Sequence, residues 1–105
     1  MEDEPKGACY VTAHITAFPG KGEALRDVMR ANIPLVRAED GCLRYDLLCA
    51  ADDPDFLMFN ELWRDRAALD AHLASPHMLT YREKSSPLIA GRKLYVWNAV
   101  DVGTY

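Results

Sequence analysis

Glu61, Trp63 and His72 are the residues of this 105-residue chain whose types and spacing could do chemistry together. Glu61 and Trp63 stand two residues apart, so in a strand they share a face. A carboxyl in an otherwise apolar strand is costly to ionise unless paired. Glu61 is therefore either a candidate base or half of a salt bridge with Arg44 or Arg64. The Trp63 ring could plug the core or wall a pocket for a planar molecule, and one large ring can do both. His72 shares an apolar helical stripe with Leu69 and Leu73 and so points toward the sheet. An imidazole there is a hydrogen-bonded core group or a base for a phenolic or enolic proton, its pKa lying near neutrality.

The remaining polar candidates carry weaker signals. His77 follows Pro76 in the first turn of a helix, where a solvated or locally bonded role is expected. His14 alternates with the apolar residues of its strand and belongs on the other face. Tyr45, Asn60, Tyr81 and Arg82 could each orient a substrate oxygen, and each has an ordinary surface or interface explanation. Cys9, Cys42 and Cys49 make no CxxC pair, and the three histidines fit no zinc-ligand spacing. No glycine-rich phosphate loop or nucleophile triad is present, so neither a metal nor a cofactor is expected. An odd cysteine count without a secretory signal points to reduced thiols in a cytoplasm.

A formal charge of −4 argues against nucleic acid, which needs concentrated Lys and Arg. No apolar run approaches the ~20 residues that span a bilayer. The acidic residues 1–7 read as a disordered tail, and 8–105 as one domain with enough apolar content for a core. Cys9 to Phe18 alternates Val11, Ala13, Ile15 and Ala17 with polar residues, the period of a strand. Pro19-Gly20 stops it, and Leu25, Val28, Met29, Ile33 and Val36 then form one helical stripe. Pro34 should kink that helix, and Asp40-Gly41 should close it. Cys42 to Ala50 is the second strand, with Leu43, Tyr45, Leu47 and Cys49 on one face. After the turn cluster 51–55, Phe56 to Trp63 is the third. Asp65 is placed to cap a short helix through Leu73, and Ser75-Pro76 starts a further helical turn. Leu94 to Val102 is the last strand.

The order β-α-β-β-α-β predicts an α+β, ferredoxin-like fold: a four-stranded antiparallel sheet with its helices on one face. Two helices cover one side only, yet 56–59 and 94–97 are apolar on both. Such a patch is not normally left in water. A second copy of the same sheet is the simplest cover, so a homodimer is expected.

Three stretches together resemble the antibiotic biosynthesis monooxygenase domain family. They are Ala13-His14-Ile15-Thr16-Ala17-Phe18-Pro19-Gly20-Lys21, then Asp40-Gly41-Cys42-Leu43-Arg44-Tyr45-Asp46-Leu47, and Glu61-Leu62-Trp63-Arg64-Asp65 leading into 68–77. The resemblance covers about residues 9–100 and implies a dimeric α+β barrel with a pocket between sheet and helices in each subunit. It also implies that Trp63 walls the pocket. Members of the family oxygenate quinols and anthrones without a cofactor, degrade haem, or isomerise phosphorylated diones. The positions of the haem ligands carry His72 and about Arg82, which points away from haem. The Asn and Tyr positions of the anthrone oxygenases carry Phe59 and Leu69. The leading expectation is a cofactor-independent monooxygenase that takes O2 and a small quinol-like or enolisable aromatic compound. His72 or Glu61 would be the base, and Trp63, Tyr45, Asn60 and Arg82 would bind substrate. The alternatives are a phosphorylated-dione isomerase, with Arg82 or Arg44 holding the phosphate, and a dimeric module that binds a small molecule without turnover.

Overall fold

A computed structural model describes residues 7–103; of the expected tail 1–7, all but Gly7 lies outside the described residues. The strand periodicity at the start becomes β1 (Cys9–Ala17), and the helical stripe after it becomes α1 (Gly22–Arg37), which continues through Pro34. β2 (Cys42–Ala50) and β3 (Asp53–Trp63) form a hairpin. Two helices follow, α2 (Arg66–Leu73) and α3 (Pro76–Ser85), then a 3-10 turn at Ser86–Leu88 and β4 (Ile89–Trp97). The strands lie in the order β2-β3-β1-β4, every neighbouring pair antiparallel, which is the ferredoxin-like topology.

Pairing rather than local composition sets the strand ends. β3 starts at Asp53, inside the expected turn cluster, because Ala50 of β2 is its partner there. β4 starts at Ile89 and stops at Trp97, not at Leu94 and Val102. Its ladder runs along β1 from Ala17 opposite Ile89 to Tyr10 opposite Trp97, and β1 itself begins at Cys9. Leu43 was expected on the face of Tyr45. The β2–β3 register instead shifts between Cys42 and Arg44, which places Cys42 opposite Trp63 and leaves Leu43 exposed.

The core fills the space between the sheet and α1. Leu25, Met29, Ile33 and Val36 of α1 meet Val11, Ile15, Leu57 and Phe59 of the sheet, all buried. Each such side chain contributes about 1.5–3 kcal/mol. On the opposite face, Leu48, Phe56, Tyr95 and Trp97 are 40–49% exposed. His14 lies on that face too, bonded to Thr12 Oγ1 at 3.1 Å and edge-on to Tyr95.

Two glycines hold the loops that frame the helices. Gly41 has φ +88°, a left-handed conformation in the turn that joins α1 to β2. Gly22 opens α1 where the backbone passes against Pro54: a Cβ there would collide with the Pro54 carbonyl oxygen. The Asp55 carboxylate accepts the backbone N–H of Gly20 at 2.9 Å and of Gly22 at 2.8 Å, closing this corner. Gly22→Ala should therefore destabilise the fold by about 1–3 kcal/mol, the usual cost of overpacking. Urea unfolding monitored by circular dichroism measures it.

Candidate functional site

The β3 pleat turns Leu57, Phe59, Glu61 and Trp63 toward the helices. Glu61 lies between Val11 of β1 and Tyr45 of β2 in the ladder and is 4% exposed. Its Oε1 accepts the indole N–H of Trp63 at 2.9 Å. Burial pushes its carboxyl up to about 7; the Trp63 bond works against this, and the charge of Glu39 adds to it.

His72 reaches the site from the buried stripe Ala68, Leu69 and His72 of α2. The start of that helix is set by Asp65, whose carboxylate accepts the Ala68 N–H at 2.8 Å. The imidazole stacks on Trp63, centroids 4.5 Å apart and planes tilted 30°, and meets Tyr45 edge-on at 5.7 Å. Its Nδ1 donates to Glu39 Oε2 at 2.8 Å. Burial pulls the pKa of His72 down, with Glu39 opposing, so the ring tends to stay neutral. His77 Nε2 donates to the same Glu39 oxygen at 2.7 Å. Tyr45 completes the aromatic group, stacked on Phe59 at 4.5 Å.

A cavity of about 60 Å³ opens between these groups and the sheet. Glu61, His72 and Tyr45 line it with Phe59, Ile15, Leu73, Met78 and Tyr81, and Arg82 and Arg92 supply positive charge. Lys93, opposite His14 in the ladder, borders it from a position whose side chain belongs to the other face. Arg82 also donates to the Leu73 carbonyl at 2.7 Å, which ties α3 to the end of α2.

Four of the six residues named from the sequence thus share one wall: Glu61, His72, Tyr45 and Arg82. Trp63 is placed differently from the expected pocket wall. It is fully buried and outside the lining, standing behind His72 and Glu61 and holding both. Asn60 is also displaced: it alternates with Glu61 and so belongs to the opposite face, between Thr12 and Asp46 in the ladder. Arg44, the other basic candidate, lies outside this cavity too. Sequence reasoning missed Glu39. It belongs to the turn after α1, outside any periodic segment, where a carboxylate reads as solvated. Arg92 escaped because the last strand is expected only from Leu94, whereas β4 begins at Ile89.

The buried carboxyl makes stability depend on pH. With its pKa raised in the folded state, Glu61 binds more protons folded than unfolded between pH 4.5 and about 7. The contribution of Glu61 to stability should be fullest below that window and fall as pH rises through it, by up to about 1.4 kcal/mol per pH unit. Urea unfolding of the wild type and of Glu61→Gln at several pH values tests this; the loss should be absent from the variant.

A sequence profile described as antibiotic biosynthesis monooxygenase matches residues 8–84. Protein Rv0793 of Mycobacterium tuberculosis is 43% identical over 79 residues, spanning 75% of this chain and 77% of its own. Its solved structure superposes with a TM-score of 0.85 over 93% of this chain and all of that one. PA3566 of Pseudomonas aeruginosa superposes with the same score, 0.85, at 34% identity, over 91% of this chain and 97% of that one. YgiN of Escherichia coli K12, named "Probable quinol monooxygenase", is 36% identical over 83 residues, covering 70% of this chain and 80% of its own. The profile match, these relatives and the shared ferredoxin-like topology agree: the chain belongs to the antibiotic biosynthesis monooxygenase family.

Proposed function

We propose that this protein is a cofactor-independent monooxygenase of a small quinol-like or enolisable aromatic compound. The observation that carries the reading is the convergence of Glu61 and His72 on one largely apolar cavity. Both are buried, and both are biased toward the neutral form near pH 7. With Nδ1 committed to Glu39, Nε2 is the ring nitrogen left to accept a proton. His72 removes a phenolic or enolic proton, and the resulting anion passes one electron to O2. The substrate radical and superoxide then recombine. One oxygen atom stays on the substrate and the other leaves as water, O2 being the only oxidant. Glu61 lies on the same cavity wall to return a proton to the peroxide. The protein contributes a base, orientation and an apolar enclosure. The family and the name of the Escherichia coli relative support a quinol-like substrate.

A second reading keeps the same base but a different substrate, a small phosphorylated dione that is isomerised. Arg82 and Arg92 on the cavity favour a ligand with an anionic group. A module that binds a small molecule without turnover would use the same cavity.

In each reading the working unit is a homodimer whose sheets face each other and cover Leu48, Phe56, Tyr95 and Trp97. Sedimentation equilibrium at micromolar concentration should give a dimer, and Trp97→Glu should shift it toward monomer. A wild-type monomer at that concentration would remove the pairing.

Activity is tested by O2 consumption with menadiol or a related hydroquinone, measured against autoxidation. Turnover should survive EDTA, and His72→Ala should slow it by roughly 10²-fold, the usual contribution of a positioned base. Trp63→Ala should lower kcat more than it raises KM, because the indole orients His72 and Glu61 without lining the cavity. A wild type that never exceeds autoxidation across a panel of quinols would set this reading aside, and turnover of a phosphorylated dione would favour the second.

A further inference from the structure

The turn after α1 and the junction of α2 with α3 bring together three donor groups that no sequence spacing relates. Glu39 Oε2, His72 Nδ1 and His77 Nε2 lie within 4.8 Å of one another. Both imidazoles address the same carboxylate oxygen, at 2.8 and 2.7 Å. We propose that Glu39, His72 and His77 form a binding site for a divalent transition-metal ion of the zinc class, clamping the α1–β2 turn to the α2–α3 junction.

The donor set selects the ion. Two imidazoles and one carboxylate suit zinc, cobalt or nickel, whereas magnesium and calcium prefer shells of oxygen. The spacing is nearly right already. Ligand bonds of about 2.1 Å place neighbouring ligands roughly 3.4 Å apart around a tetrahedral ion. The two carboxylate–imidazole separations are shorter than this, and the two ring nitrogens lie within 4.8 Å of each other, so the Glu39 side chain has to draw back and the rings to close on the ion. Glu39 belongs to a turn and not to a helix or strand, which makes that adjustment cheap. The turn is nonetheless well placed, since Cys42 N–H donates to the Glu39 carbonyl and Arg64 N–H to that of Gly41. His77 is 22% exposed and gives the ion access from solvent. Ser75 Oγ, 3.3 Å from His77 Nε2, adds an oxygen at the rim.

The site stands on geometry and does not require the catalytic reading. The two share His72, however. An ion on Nδ1 moves the ring proton to Nε2, the atom a substrate would need, so an occupied site would silence the base.

The test is calorimetric titration of metal-free, untagged protein with Zn2+, and optical titration with Co2+. The expected result is one saturable ion per chain at micromolar affinity or tighter. Visible Co2+ bands should appear without the intense near-ultraviolet absorption of cysteine ligation. His77→Ala and Glu39→Gln should each weaken binding by at least the ~10-fold that even outer partners of a metal contribute. In wild-type protein labelled with 15N-histidine, Zn2+ should shift the ring resonances of His72 and His77 but not of His14. Absence of saturable binding would overturn the proposal. So would binding that survives both substitutions, or ring shifts confined to other residues, and the three groups would then be a hydrogen-bonded cluster alone.

Discussion

A carboxyl buried in the layer between sheet and helices needs neighbours that tolerate either its charge or its proton, and Glu61 has them in a chain. The Trp63 indole donates to it, which fixes the plane of the ring. That plane offers a face to His72, and Glu39 holds the imidazole from its other edge. His77 then carries the chain to the partly exposed end of the cluster. Hydrogen bonds join Trp63 to Glu61 and both imidazoles to Glu39, and ring stacking links the two groups, so the row runs from the centre of the sheet toward the surface. In a low-dielectric interior such linked bonds reinforce one another, and removing one leaves the rest costly.

The cavity exists because the helical layer does not cover the whole sheet. α1 packs its buried stripe against the sheet, while α2 and α3 bring His72, Met78 and Tyr81 to the cavity. Every residue of β4 beyond Ile89 is exposed, including Leu94 and Val96 on the helix-facing side. Arg92 lies on the inward face of this uncovered strand, which lets charge line one side of an otherwise apolar cavity.

The outward face of the sheet follows a different logic. Thr12 accepts from the Trp97 indole at 2.8 Å and is bonded to His14, and Tyr95 packs between the two rings. The polar edges of this aromatic group are satisfied within it, while much of its apolar surface remains open. A surface of that kind suits contact with another apolar surface more than with water.

Periodicity determined the element types, their order, the strand pleat and hence the ferredoxin-like class. It also put Glu61 and His72 on inward faces, because alternation and the 3.6-residue stripe are local properties of the chain. Asp65 and Ser75-Pro76 announced the two helix starts for the same reason. Register was not legible. The bulge at Leu43, the early start of β4 and the end of β3's turn depend on which residues a partner strand offers, and no local pattern records that. The far-face position of Asn60, by contrast, was legible, since it alternates with Glu61. Trp63 shows the limit within the site, for it is set behind the imidazole by stacking. Only the tertiary structure joined Glu39 to His72 and His77 across 33 and 38 residues of chain. A turn carboxylate has no period to betray its direction, and its partners are chosen by how the helices pack on the sheet.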